Sequence, residues 1–177
     1  MSSEMGSLFE TLLEVSRAKS LPPVGKWAPS EIGEIDIKIL RDGRWLHEQR
    51  EIKRKEIVRL FSTILITDGA DFFLITPVQK LKITVEDVPF LAIDFEVRGS
   101  GQDSDLLFKT NVDEHVLVSR ENSIWISSEK PYLHVRSGLN ALLTRNVYYR
   151  LVERGEEVEG EYLVHSCGQA FSLGSTA

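Results

Sequence analysis

Hydrophobic residues follow a helical period in the first third of the chain. Over residues 5–18 they fall on one face, and a broader apolar stripe of the same period covers residues 54–65. Three prolines within residues 21–29 exclude a helix there, because proline removes a backbone donor and fixes φ. The pattern predicts two helices and, between them, an extended segment that Trp27 anchors on the core.

A period of two marks the strands. Ile35, Ile37 and Ile39 alternate with polar residues, and Asp42-Gly43 is a turn signal before a returning strand at 44–47. A second hairpin closes near residues 68–71. From residue 80 onward almost every segment favours a strand, and a polar tail follows the last one. The predicted strands of this second part lie at 80–85, 90–97, 106–110, 115–119, 124–127, 132–135, 147–154 and 161–166.

A further helix is predicted at residues 137–145, with Ser137 as its N-cap and three leucines on one face. Counted from Arg54 and from Arg136, apolar residues recur at the third, sixth and seventh positions, and strands surround both helices. We therefore expect an α+β fold of two strand-helix-strand units related by duplication. The expected divisions are an N-terminal helix and extension at 1–21, a first α+β unit at 22–84 and a second, strand-rich unit at 85–177.

Composition indicates an ordinary globular protein. The chain has 177 residues, of which 42% are hydrophobic and 27% charged. Cys167 is the only cysteine, so the chain can form no internal disulfide. No apolar run approaches the length of a membrane span, and the first residues lack the basic region of a signal peptide. We expect a cytoplasmic location.

The charge balance argues against nucleic acid and membrane surfaces as partners. Lys plus Arg is 21 and Asp plus Glu is 27, which gives a net charge of −6. Residues 1–88 carry 13 basic and 14 acidic side chains, whereas residues 89–177 carry 8 and 13. Both kinds of partner require accumulated positive charge. The one basic cluster, near residues 50–59, is diluted by Glu51 and Glu56.

No catalytic or metal-binding motif is present. The four histidines lack the second ligand spacing of a zinc site. Alternation would place His165 and Cys167 on one strand face, but a nucleophilic pair also needs a third, orienting group, and a solitary cysteine is usually a small buried hydrophobic residue. The glycine-rich stretch at 99–105 is predicted to be a flexible loop, and it leads into a strand rather than a helix, unlike a phosphate-binding loop. The residues predict no metal site and identify no cofactor.

Two arginines and two acids are the remaining candidates. Arg54 and Arg136 precede predicted helices, where free backbone N–H groups already favour anions. Each arginine could therefore pair with a local acid, such as Glu86 or Asp87, or hold an anionic ligand through two hydrogen bonds. Glu86 and Asp87 could also serve acid–base chemistry, although acids before a proline turn usually bond turn backbone.

The ordered motifs of residues 22–154 resemble those of the bacterial domain-of-unknown-function family 1285. Gln79 departs from the family pattern, in which a glutamate follows Thr-Pro-Val. This chain therefore lacks the negative charge of that glutamate and any role that depends on it. The motifs are Trp27-x-Pro29, Asp42-Gly43-x-Trp45, Ile52-x-Arg54, Val58-x-x-Phe61, Thr76-Pro77-Val78, Val85-Glu86-Asp87-x-Pro89-Phe90, Phe108-x-Thr110-Asn111 and Tyr132-Leu133-x-Val135-Arg136-x-Gly138-Leu139-x-Ala141-Leu142.

The resemblance implies a duplicated α+β chain whose second half is similar to pleckstrin-homology folds. It implies no established activity, but it suggests a signalling role and a site for a nucleotide-like ligand between the halves. We therefore expect a module that binds an anionic small molecule; the alternatives are a protein-interaction adaptor and, less favoured, a hydrolase. The candidate ligand-binding residues are Arg54, Lys80, Glu86, Asp87, Thr110, Asn111, Arg136 and Arg145.

Overall fold

A computed structural model describes Leu8 and residues 20–176. The chain divides into two units, Met1–Asp87 (unit 1) and Val88–Ala177 (unit 2). The helix predicted over residues 5–18 lies outside the described residues, apart from Leu8, which is helical and fully buried. Residues 21–29 form neither an α-helix nor a strand, as predicted; they contain one 3₁₀ turn at Val24–Lys26, and Trp27 is half-buried.

Unit 1 is a six-stranded sheet with one helix among its described residues. Its strand order is β3-β2-β1-β6-β5-β4, in which β1 and β6 are parallel and all other neighbours are antiparallel. Helix α1 connects β3 to β4. The elements are β1 (Glu31–Ile39), β2 (Trp45–His47), β3 (Arg50–Glu51), α1 (Lys55–Thr63), β4 (Leu65–Asp68), β5 (Asp71–Ile75) and β6 (Gln79–Val85).

The core of unit 1 lies where alternation predicts it. Ile37 and Ile39 of β1 are at most 1% exposed, and the polar residue between them is half-buried. On the next strand Trp45 is buried and stacks on Phe61 of α1, with ring centroids 6.2 Å apart. Both predicted hairpins are confirmed, with turns between β1 and β2 and between β4 and β5.

Unit 2 contains a second six-stranded sheet, a helix and a smaller three-stranded sheet. The large sheet has the order β10-β11-β12-β7-β8-β9, with β7 and β12 parallel. The elements are β7 (Phe90–Arg98), β8 (Asp105–Thr110), β9 (His115–Leu117), β10 (Ile124–Ser127), β11 (Lys130–Arg136), β12 (Leu139–Leu143), α2 (Arg145–Arg154), β13 (Glu156–Val158), β14 (Glu161–Ser166) and β15 (Gln169–Ser175).

The two large sheets share one topology. Each consists of two three-stranded meanders, and the first strand of one meander lies parallel to the last strand of the other. The prediction of two similar halves in an α+β chain is therefore confirmed, although the chain is mostly β. The prediction that the two helices are equivalent is wrong, because α1 joins the meanders of unit 1 whereas α2 follows the second meander of unit 2.

The predicted helix at residues 137–145 is instead a turn and strand β12. Ser137 and Gly138 have φ angles of 46° and 77°, the signs that a two-residue type I′ hairpin turn requires. Buried Leu139, Ala141 and Leu143 then alternate with half-exposed residues. The leucine spacing alone fits a helix as well as a strand, and the small Ala141 supplies the period of two.

The segment predicted as a strand at residues 147–154 is helix α2. Val147 and Leu151, four residues apart, are fully buried on its inner face. Its tyrosines and valines favour strands by composition, and tertiary packing overrides that preference. The predicted polar tail is also wrong, since Phe171 and Leu173 are buried in β15.

Candidate functional site

Two of the candidate basic residues lie in unit 1. Arg54 is the exposed residue before α1; its carbonyl accepts the N–H of Ile57 and Val58, and its side chain makes no capping bond. Lys80 of β6 forms an ion pair with Asp68, and its ammonium lies 4.5 Å from the centre of the Phe73 ring. Arg54 therefore stands before a helix, as expected, and Lys80 has a local acid.

The two candidate acids follow β6. The Glu86 carboxylate accepts the backbone N–H of Arg41 at 2.8 Å and lies 3.3 Å from the Lys38 ammonium. The Arg41 N–H, then Lys38, hold the pKa of Glu86 below its ordinary value. Arg41 belongs to the β1–β2 turn, so Glu86 bonds the backbone of a turn 45 residues earlier in the chain rather than that of the proline turn that follows it. Asp87 is half-buried.

Three other candidates, Thr110, Asn111 and Arg136, lie together in unit 2 at the end of β8. The buried hydroxyl of Thr110 accepts the N–H of Glu114 at 3.1 Å and thereby closes the turn after the strand. Asn111 accepts the N–H of Leu91 through Oδ1 at 3.0 Å and donates its own N–H to the Leu91 carbonyl. These two side chains hold a strand end and its neighbour together.

Arg136 joins this group from β11. Its Nε lies 2.9 Å from Oε1 of Glu114, and its guanidinium lies 5.8 Å from the centre of the Phe90 ring. The expectation that Arg136 begins a helix is wrong, because it ends a strand; the exposed Arg145 is the residue that begins α2. The argument from free helix N–H groups therefore does not apply to Arg136.

A cleft that the sequence did not reveal lies elsewhere in unit 2. It has a volume of about 310 Å³, at the lower end of the range for small-molecule sites. We call it the unit 2 cleft. It is bounded by the end of β7 and the following loop, the start of β8, the end of α2, and strands β13 and β14. Its lining residues are Val97, Gly99, Ser100, Gly101, Ser104, Leu106, Arg154, Glu156, Leu163, Val164 and His165.

Charged and titratable groups line the unit 2 cleft beside its aliphatic residues. Nε2 of His165 lies 2.8 Å from Oε1 of Glu156, and the imidazole is mostly buried while the carboxylate is more than half exposed. Arg154, the last residue of α2, is exposed, and no acid within residues 20–176 forms an ion pair with it. The cleft therefore contains a guanidinium that pairs with no acid within residues 20–176, next to a histidine and a glutamate that bond each other.

Buried hydrogen bonds fix the walls of the cleft. The hydroxyl of Ser166 accepts the N–H of Leu106 at 2.9 Å and donates to the carbonyl of Val118 at 2.7 Å, and all three residues are buried. In the adjoining loop, Gly99 has a φ of 76°, and a Cβ there would lie 2.5 Å from the carbonyl oxygen of Asp103. Only glycine fits that position.

Sequence reasoning missed this cleft for physical reasons. The loop at 99–105 contains a 3₁₀ turn at Gly101–Asp103, and it faces a hairpin that comes about sixty residues later in the chain. The expectation that His165 and Cys167 share one strand face is wrong, since β14 ends at Ser166 and Cys167 lies in an exposed turn with a φ of 50°. The sequence pattern predicts a strand over residues 147–154, so it does not mark Arg154 as the end of a helix.

A second cleft, of about 320 Å³, lies in unit 1 where the β1–β6 pairing shifts register between Glu34 and Lys38. Its single cation, Lys82, already pairs with Asp71. Within residues 20–176 no group of three or more metal-ligating side chains is present, and no helix there is long and apolar enough to cross a membrane. The unit 2 cleft is therefore the stronger candidate site.

Comparisons with known proteins agree on one family. Residues 22–88 match the N-terminal domain of DUF1285, described as a domain of unknown function, and residues 89–173 match its C-terminal domain. No curated protein matches the chain.

Two solved structures are similar to this chain. One, a DUF1285 family protein from Silicibacter pomeroyi DSS-3 at 2.50 Å resolution, is 39% identical over 93% of this chain and 94% of that chain, with a TM-score of 0.85. The other, a DUF1285 family protein from Shewanella baltica OS155 at 1.40 Å resolution, is 29% identical over 68% of this chain and 92% of that chain, with a TM-score of 0.57. The chain belongs to the DUF1285 family.

Proposed function

We propose that this protein is a ligand-binding module whose unit 2 cleft holds a small molecule by its anionic group. One observation supports the proposal above all: the exposed Arg154 lines a cleft with aliphatic side chains in its walls and has no ion-pair partner within residues 20–176. A guanidinium binds a carboxylate or a phosphate through two parallel hydrogen bonds. Beside apolar walls such a pair is less screened than in open water.

The proposed anion site is at Arg154 rather than at Arg54 or Arg136, the two arginines expected from the sequence. Arg136 already has the Glu114 carboxylate 2.9 Å from its Nε, so an anion there would compete with a mostly buried acid. An anion that binds Arg154 displaces no carboxylate within residues 20–176, because none there pairs with this side chain. A signalling role, a cytoplasmic location and a pleckstrin-homology-like fold for unit 2 complete the proposal as expectations from the sequence and the family resemblance. The chemistry of the cleft does not depend on them.

A thermal-shift screen of the full chain tests the proposal. The probes are small carboxylates, inorganic phosphate, phosphorylated metabolites and mononucleotides. A ligand at about 100 times its Kd stabilises the folded state by about 2.7 kcal/mol, which raises the Tm of a chain of this size by about 5–11 °C. We expect a hit whose shift is lost in Arg154→Gln and kept in Arg120→Gln, which changes an exposed arginine of the loop after β9.

Two outcomes contradict the proposal. One is the absence of a shift with any anion at millimolar concentration, and the other is an equal shift in both variants. Either result favours the protein-interaction adaptor, because an adaptor needs no small-molecule site.

Hydrolysis is a second candidate function, favoured by the His165–Glu156 pair in the same cleft. A histidine oriented by a carboxylate is the usual general base of a hydrolase. No serine or cysteine within residues 20–176 bonds the His165 ring, so the base would act on water. Ester hydrolysis by the wild-type chain that is lost in His165→Ala supports this candidate, and equal rates in both exclude it.

A further inference from the structure

We infer that the unit 2 cleft selects a small aliphatic α-amino acid rather than a phosphorylated or nucleotide ligand. The inference rests on the proposed function, and it specifies which anionic group binds and what accompanies it. Three properties of the cleft carry it: the kind of apolar surface, the two opposite charges and the size.

The apolar part of the lining is entirely aliphatic. Leu106 and Val164 are buried, and Val97 and Leu163 are half-buried beside them. The one aromatic ring among the lining residues is the His165 imidazole, which is mostly buried and bonds Glu156. Proteins that bind nucleobases usually stack them on exposed aromatic faces, and an imidazole that is 16% exposed offers a base little such surface. A branched or linear aliphatic group suits these walls.

The charged part of the lining has both signs. Arg154 and Glu156 are separated by a single residue and both line the cleft. Glu156 uses Oε1 toward His165, and its side chain is 55% exposed, so the carboxylate has capacity for another donor. An α-carboxylate on Arg154 with its α-ammonium on Glu156 satisfies both side chains with one ligand.

A dianionic phosphate fits these charges poorly. It would lie near the Glu156 carboxylate and within a half of the chain, residues 89–177, that carries 13 acidic against 8 basic side chains. Like charges in one site repel each other, whereas a zwitterion adds no net charge. The volume of about 310 Å³ also suits one amino acid better than an extended dinucleotide.

Isothermal titration of the full chain with matched ligands tests the inference. The probes are L-leucine, 4-methylpentanoate, which lacks the ammonium, isoamylamine, which lacks the carboxylate, and adenosine monophosphate. We expect leucine to bind and each of the other three to bind at least about tenfold more weakly, because each leaves a charged group of the cleft without its partner.

Paired variants locate the two charged contacts. Arg154→Gln should weaken both leucine and 4-methylpentanoate, whereas Glu156→Gln should weaken leucine and leave 4-methylpentanoate unchanged or tighter. The controls Arg120→Gln and Glu129→Gln change exposed residues that do not line the cleft and should leave leucine binding intact. The comparison among ligands needs no variant, so it stands even if a substitution unfolds the chain.

The titrations distinguish a failure of the amino-acid inference from a failure of the proposed ligand-binding function. If 4-methylpentanoate or adenosine monophosphate binds as tightly as leucine and its binding depends on Arg154, the amino-acid inference is wrong and the proposed function stands. If no probe binds, or if Arg154→Gln changes nothing, both are wrong.

Discussion

Nε2 of His165 lies 2.8 Å from Oε1 of Glu156, across the hairpin formed by β13 and β14. Glu156 is paired in register with Leu163, so His165 is its diagonal neighbour on the adjacent strand. The mostly buried imidazole fixes an exposed carboxylate at the rim of the unit 2 cleft. The geometry of the cleft therefore depends on how firmly this hairpin is attached to the rest of unit 2.

Ser166 supplies that attachment, and its loss should destabilise the fold. Ser166→Ala leaves the Leu106 N–H and the Val118 carbonyl without this buried partner, and it should lower the free energy of unfolding by about 1–3 kcal/mol. Urea unfolding measures the change as a lower midpoint at an unchanged m-value. Ser127→Ala, at an exposed strand end, is the control and should stay within about 0.5 kcal/mol. Equal midpoints for the two variants contradict the prediction.

The Glu114–Arg136 pair should contribute more than a surface ion pair. Glu114→Gln removes the acid beside a guanidinium whose side chain is only 19% exposed, so we expect a loss of about 1–3 kcal/mol. The matched change Asp113→Asn affects the exposed ion pair with Lys109 and should cost less than about 1 kcal/mol. Chemical unfolding of both variants gives the comparison, and equal losses would show that burial of the pair has no effect.

The Glu86 carboxylate should make stability depend on acid pH. Because the Arg41 N–H, then Lys38, hold its pKa below the ordinary value of 4.5, the folded state binds this proton less readily than the unfolded state does. The carboxylate therefore stabilises the fold above the ordinary value, and the contribution is lost as the pH falls through the lower folded pKa.

Glu86→Gln tests this pH dependence. The Tm difference between the wild-type chain and the variant should be largest near about pH 6–7 and should shrink below about pH 4. Melting curves across that range measure it. A difference that stays constant with pH would show that the titration of Glu86 makes no contribution.

Gly138 distinguishes the observed turn from the helix that the sequence predicts. In a helix, Gly138→Ala would stabilise the chain by about 0.5–1 kcal/mol, because alanine is the better helix former. In the turn between β11 and β12 its φ is 77°, where alanine is strained, so we expect a loss of about 1–2 kcal/mol. The sign of the change in unfolding free energy decides between the two structures.

Strands with one buried face were the predictable part of the fold. Ile35, Ile37 and Ile39 could be assigned because a period of two is visible wherever alternate residues enter the core. The period was hidden where the buried residue is small, as at Ala141, and where an inner helical face carries residues that favour strands, as at Val147. The two incorrect predictions, a helix at residues 137–145 and a strand at residues 147–154, therefore concern neighbouring segments of unit 2.

The candidate site was less predictable because it depends on long-range contacts. The pattern predicts a strand over residues 106–110, and Thr110 and Asn111 bond the turn and the neighbouring strand at its end. Glu114, however, reaches Arg136 across 22 residues of sequence, and no spacing rule connects them. The unit 2 cleft likewise joins a loop near residue 100 to a hairpin near residue 160, a contact that only the folded chain creates.

Residue-resolved titration tests the central claim, ligand binding in the unit 2 cleft, most directly. Amide ¹H–¹⁵N spectra of the full chain are recorded with L-leucine and, separately, with adenosine monophosphate, for the wild-type chain and for Arg154→Gln. The account predicts saturable shifts with leucine at Gly99, Gly101 and His165 that disappear in the variant, which must otherwise keep the wild-type spectrum. Spectra that neither ligand changes, or shifts confined to residues outside the cleft, would contradict it.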